Sequence, residues 1–314
     1  MECCKKVGVE GDKLQLDSFG IELDIPPGAI DGKAPQDISL RVLTDTPNLG
    51  NSKAEMSVCF GVQCLAPDDL VLKLPVTYTI PHCAVSSRYS SVEAVLYTGE
   101  GEYSPDAVVK ERIVLSRSGT PSVIIKKDVL ILKMNHFSWA KVKFIISQFF
   151  FREKRMCCRP FKEKNLALQT RSVILHAHLY DDIKGNSELV KLEEREYFIP
   201  ANMEQRLSIR TAEGALKMTC YLRNTVIGGP AVVSFDKLMS GERICVPFEL
   251  DFTNQSDSVA VSLIVERNGK LECHFIFRLE DGRQEASPQD QASAEVVAAT
   301  GVVAGDDAAQ GGNI

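Results

Sequence analysis

Between about residues 8 and 280 the chain is a succession of short apolar or alternating runs, each closed by turn residues, and this rhythm confines it to β-sheet architectures. LQLDSFGIELDIPPGAI reads as a short strand, a turn at Gly20, a second alternating strand and a hard stop at Pro26-Pro27-Gly28. QDISLRVLT, MSVCFGVQCLAP, VLKLPVTYTIP, VEAVLYTG, VKERIVLSR and PSVIIKKDVLILKM continue the pattern, and HFSWAKVKFII ends a first block. Pro75, inside VLKLPVTYTI, points to an edge position or a bulge, because proline cannot donate to a ladder. In IPPGAI the prolines fix the backbone and Gly28 permits a turn, so this segment is expected to shape a corner at a sheet end.

The second block carries the same signature in LALQTRSVILHAHLYD, RLSIRTAEG, ALKMTCYLRNT, AVVSFDKLM, RICVPFELDFT, VAVSLIVERNG and LECHFIFRLED. Its Asn268-Gly269 step, between two alternating runs, is the strongest hairpin signal in the chain. A length of 314 residues exceeds what one core commonly supports. The fold class expected is therefore all-β: two tandem β-sandwich domains, over 8–150 and 165–280, followed by a disordered tail over 281–314 rich in Gln, Ala, Gly and acidic residues.

Residues 151–164 between the blocks carry six basic residues and two glutamates and read as a solvated basic linker. The same stretch, with Phe149 to Phe151 and Cys157-Cys158, invites comparison with a lipid-anchored membrane contact, which the interspersed glutamates weaken. The longest apolar run, Phe144 to Phe151, is broken by Ser147 and Gln148 and is too short to span a bilayer, so membrane association is not expected.

Composition removes several function classes. A net charge of −6 gives no electrostatic case for a nucleic-acid partner. MECCKKVGVEGDKLQL turns polar before an apolar core can form, so no signal peptide is expected. Ten cysteines include two adjacent pairs that suit no ordinary disulfide framework, which favours reduced thiols and a cytoplasmic setting. No GxxxxGK[ST] run is present, and no cofactor is expected. His176 and His178 share one strand face in VILHAHLY, yet no carboxylate or cysteine spacing accompanies them, so no metal site is expected.

The chemistry-bearing motif is His136-Phe137-Ser138 in KMNHFSWAKVKF. Were the Phe137 to Ser138 peptide held out of its relaxed geometry, the Ser138 hydroxyl could attack the Phe137 carbonyl and turn the amide into an ester that water hydrolyses. His136 is one candidate proton acceptor, and a distant histidine could serve instead. The bland alternative is a strand with His136, Ser138 and Lys141 near solvent and with Phe137 and Trp139 packed inward.

LDSFGIELDIPPGAIDGKAPQDISLRV, then LAPDDLVLKLPVTYTIPH, then MNHFSWAKVKF together resemble the ZU5 domain of netrin receptors of the Unc5 class, ankyrins, tight-junction scaffolds and the PIDD protein. Residues 165–280, with stretches such as LKMTCYLRNT, look like the UPA domain that commonly follows ZU5, and the tandem is similar to the function-to-find domain of inflammasome sensors. In PIDD-like and sensor-like relatives a bond just before a serine is autoproteolysed and the fragments stay associated. Carried over, this makes Phe137 the cleaved carbonyl, Ser138 the nucleophile and His136 the triplet's histidine, with His82 the nearest upstream histidine and an alternative base. The expected function is an intracellular protein-interaction and signalling scaffold with single-turnover self-cleavage; the alternative is a non-cleaving structural or cytoskeletal adaptor. Partners are other proteins, together with packing of the ZU5-like on the UPA-like domain. About 34 residues follow position 280, too few for a death-domain-like helical bundle.

Overall fold

The computed structural model describes residues 1–31, 34–44, 55–85, 92–99, 101–104, 108–146, 153–164, 172–210, 213–252 and 258–280. The expected tail over 281–314, and residues 151 and 152 of the expected linker, lie outside the described residues.

Among the described residues, twelve strands build the first sandwich: β1 (Glu2–Val7), β2 (Asp12–Leu16), β3 (Ile21–Ile25), β4 (Gln36–Leu43), β5 (Glu55–Ser57), β6 (Gly61–Leu65), β7 (Val76–Pro81), β8 (Val92–Gly99), β9 (Glu111–Leu115), β10 (Ser122–Ile125), β11 (Val129–Met134) and β12 (Trp139–Ile146). One sheet runs β1-β4-β6-β12-β8-β9, with β5 also paired to β12, and the facing sheet runs β10-β11-β7-β3-β2. Period-2 alternation decides which residues meet between them: Leu14, Leu23, Tyr78 and Leu132 from one sheet face Leu40, Val62, Leu96 and Val142 from the other, all buried in one core. Each such side chain contributes about 1.5–3 kcal/mol through removal from water.

The corner at IPPGAI forms where expected. Gly28 adopts φ +79° and donates its N–H to the Val9 carbonyl at 2.7 Å. Pro75 departs from expectation: it stands just before β7, which is a central strand paired with both β11 and β3, so the proline lies outside the ladder instead of marking an edge.

The second sandwich holds β13 (Glu153–Glu163), β14 (Ser172–Asp181), α1 (Asn186–Glu194), β15 (Phe198–Pro200), β16 (Gln205–Arg210), β17 (Leu216–Leu222), β18 (Thr225–Val233), α2 (Phe235–Met239), β19 (Ile244–Asp251), β20 (Ser258–Arg267) and β21 (Lys270–Glu280). Its sheets run β15-β13-β14-β19, with β16 also on β13, and β18-β17-β20-β21. The Asn268-Gly269 hairpin is present, with both residues at positive φ and Arg267 opposite Lys270.

The basic linker is corrected by the structure. Glu153–Glu163 form the eleven-residue strand β13, paired on both sides, and Cys157 and Cys158 are buried within it. Thiols enclosed in a strand cannot carry a lipid, which removes the structural basis for an anchor there. The misreading has a physical cause: the basic side chains of β13 are consumed by partners, Lys154 by Asp181 and Arg155 by Asp128. Among the described residues no helix is long and apolar enough to cross a membrane.

β13 also joins the sandwiches. Arg155 N–H donates to the Cys83 carbonyl at 2.8 Å and Val85 N–H to the Glu153 carbonyl at 3.0 Å, so the segment that follows β7 and the start of β13 are sewn backbone to backbone. Phe19 of the first sandwich packs where any side chain on Gly185 would stand: a Cβ there would lie 2.5 Å from its ring. Arg243 bonds Glu193 and reaches across to the Thr44 carbonyl at 2.9 Å.

Candidate functional site

β11 ends at Met134 and β12 begins at Trp139, so His136, Phe137 and Ser138 occupy the bend that carries the chain from one sheet of the first sandwich to the other. β12 is held between β6 and β8, and Trp139 fixes its start: the indole is fully buried with Leu43, Val95 and Tyr97, and Tyr103 meets it edge-on at 5.8 Å. Gly99 makes room for it, since a Cβ there would sit 2.5 Å from the indole ring.

Ser138, only 7% exposed, is held at both ends. Its hydroxyl shares a hydrogen bond of 2.9 Å with the Thr98 hydroxyl, and its carbonyl accepts the Cys64 N–H at 3.1 Å. Phe137 is half-buried and packs on the main core. His136 is exposed, and its Nδ1 lies 3.1 Å from the Asn135 side-chain oxygen. The 137–138 peptide is trans, and neither residue has positive φ. These residues border an open cavity of about 590 Å³ whose walls include Cys64, Thr98, Lys110 and Glu111. Burial pushes the Cys64 thiol up to about 12, so it stays protonated and unreactive at neutral pH.

The structure brings His136 and Ser138 to one cavity but not His82. His82 is buried, donates Nε2–H to the Lys126 carbonyl at 2.9 Å and meets Phe144 edge-on at 5.3 Å. Phe144 lies six residues beyond Ser138 along β12, which at about 3.3 Å per residue separates the two ends by about 20 Å. The bland strand reading is also altered: His136 faces solvent as it required, whereas Ser138 and Lys141 are buried, the latter donating to the Cys59 carbonyl. Thr98, the partner of Ser138, was not marked by any sequence signal, because cross-strand neighbours forty residues apart leave no local pattern.

A second constellation lies on the outer face of the other sandwich. His176 and His178 project from β14 and both contact Glu194 at the end of α1, at 2.9 and 2.6 Å; Cys245 stands directly opposite His178 on β19. The carboxylate and thiol missing from the local spacing are supplied by tertiary contacts.

Comparison with known proteins identifies a ZU5 domain over residues 4–100. The chain is 31% identical over 94 residues to the protein named netrin receptor UNC5D of Rattus norvegicus, and to that of Mus musculus at the same identity and length. In each case the alignment takes in 30% of this chain and 10% of the relative, so the chain spans about a tenth of the length of the curated relatives it matches. A second β-sandwich follows the matched domain, consistent with the ZU5–UPA order. The His136 to Ser138 bend lies beyond the matched residues.

Proposed function

We propose that this chain is a protein-interaction and signalling scaffold in which a ZU5 sandwich and a UPA-like sandwich act as one docked unit. The observation that carries this reading is the ZU5 match, supported by the backbone stitching of the segment after β7 to β13 and by the side chains exchanged across the junction. A stitched junction presents loops of both sandwiches in one fixed relation, which suits recognition by other proteins and requires no internal chemistry. All ten cysteines are free thiols, which supports a reducing, cytoplasmic setting. Quantitative affinity purification from cells, with cross-linking of the intact chain, tests the reading. A protein partner retained at stoichiometric level and cross-linked to both sandwiches is expected; recovery no greater than a tag-only control overturns it.

A second reading, self-cleavage between Phe137 and Ser138, is favoured by one observation: the Ser138 hydroxyl is held in place by Thr98 at the wall of a cavity that His136 also borders. In that reading His136 takes the hydroxyl proton as Ser138 Oγ attacks the Phe137 carbonyl and returns it to the departing nitrogen, so that the carbon–nitrogen bond breaks to leave an ester and a free Ser138 amine. Water then hydrolyses the ester. β12 would remain paired with β5, β6 and β8, which supports retention of both fragments after the cut. Denaturing electrophoresis of the chain beside Ser138→Ala decides it. Fragments of 137 and 177 residues in the parent alone support cleavage, and an intact parent after long incubation overturns it.

A further inference from the structure

We propose that His176, His178, Glu194 and Cys245 constitute a zinc-binding site on the outer face of the second sandwich. Their donor atoms, one from each side chain, all lie within 4.8 Å of one another. A tetrahedral zinc ion with bonds of about 2.0–2.3 Å sets its ligands about 3.3–3.8 Å apart, so the group needs to rearrange by about 1 Å to enclose it.

The present contacts show how the ion enters. Glu194 Oε1 accepts from His176 Nδ1 at 2.9 Å and from His178 Nε2 at 2.6 Å, so one carboxylate oxygen already binds the two nitrogens that would turn to a metal. On binding, each ring coordinates as neutral imidazole, its remaining proton on the other nitrogen, while Cys245 releases its thiol proton to water and coordinates as thiolate. No electron is transferred. A donor set of two imidazoles, one carboxylate and one thiolate suits zinc and excludes calcium or magnesium as the preferred ion, since those favour oxygen alone.

Three elements build the site, and each is independently fixed. Residues two apart on β14 put His176 and His178 on one face, while Val173, Leu175, Ala177 and Leu179 point into the core. Phe198 stacks on His176 at 4.0 Å and Phe161 meets His178 edge-on at 5.2 Å, so both rings are oriented before any ligand arrives. α1 brings Glu194, and its buried Leu189 and Val190 hold it to the sheet. β19 places Cys245 beside His178 in register.

Four protein ligands close the coordination sphere, which marks a structural ion instead of a catalytic one. The ion would fasten α1 across β14 and β19. Its effect extends toward the junction, because Glu193, the neighbour of Glu194, bonds the Arg243 that reaches Thr44 of the first sandwich.

The test uses the full chain stripped with a chelator and titrated first with cobalt(II), then with zinc. The parent is expected to bind one equivalent of cobalt with the intense visible absorption of a tetrahedral ion and a near-ultraviolet thiolate-to-cobalt band, both lost on zinc addition. Cys245→Ser, at an exposed position, should match the parent's metal-free melting curve yet lose the thiolate band. His176→Ala and Glu194→Gln should weaken zinc by more than the about 10–100-fold that loss of an outer-shell partner causes. Zinc should raise the melting temperature of the parent and leave that of Cys245→Ser where it was. A cobalt spectrum of six-coordinate type, a thiolate band that persists in Cys245→Ser, or a parent melting curve indifferent to zinc overturns the site.

Discussion

Lys154 Nζ lies 2.6 Å from Asp181 Oδ1, and both side chains are shut away from solvent at the junction of the two sandwiches. Lys154 sits at the start of β13 and Asp181 at the end of β14, where the following N–H, that of Asp182, donates to the Arg155 carbonyl at 3.1 Å. An ion pair so placed ties the strand that leaves the first sandwich to the sheet of the second.

Removal of one partner of a buried pair leaves the other charge uncompensated, which costs about 3–5 kcal/mol. Asp181→Asn should therefore lower stability by that amount in urea denaturation. Lys154→Met combined with Asp181→Leu should recover most of the loss, because the desolvation penalty disappears with the charges. A double variant that loses as much as the two single variants added together would show that the pair contributes nothing as a pair.

Gly99→Ala places a methyl group against the indole of Trp139 and should cost about 1–3 kcal/mol through overpacking. Trp139 is the only tryptophan in the chain, so its fluorescence reports on this position alone. A changed emission maximum together with a lower denaturation midpoint is expected. An unchanged spectrum would mean that β8 yields without disturbing the bend before β12.

The Thr98 and Ser138 hydroxyls satisfy each other inside the protein. Thr98→Val leaves the Ser138 hydroxyl without this partner and should cost about 1–3 kcal/mol, whereas Thr98→Val with Ser138→Ala should cost less than the two single changes added. A double-mutant cycle by chemical denaturation checks this, and strict additivity would refute the coupling.

Burial holds the pKa of His82 below its ordinary 6.5; Arg155 adds to the depression, while the bond to Lys126 and the Asp128 carboxylate oppose it. A depressed folded-state value means that the unfolded chain takes up the proton first on acidification. The contribution of neutral His82 is thus fully present above about pH 6.5 and is lost as pH falls through the folded-state value. His82→Gln should flatten this part of the stability profile between about pH 5 and 8, measured by denaturation in a buffer series. A profile identical to the parent's would assign the acid sensitivity to other groups.

The alternating runs made the β architecture legible, since a period of two requires only that neighbouring residues differ in polarity. Asn268-Gly269 and IPPGAI were legible for the same reason, each being a local backbone demand met by residues that tolerate positive φ or a fixed turn. β13 was not legible, because charges such as Lys154 look solvated until a partner from another strand is known. α1 was missed as well, although the good helix formers in SELVKLEE provided a signal.

The sites divide along the same line. The bend at His136 to Ser138 was visible as three adjacent residues, but only the folded chain decided that Ser138 meets Thr98 and that His82 stands at the far end of β12. His176 and His178 were visible as a pair on one strand face, while Glu194 and Cys245 joined them through a helix and a cross-strand register. Local periodicity records which way each side chain points; partners distant along the chain are set by strand pairing and packing, which no short stretch of residues encodes.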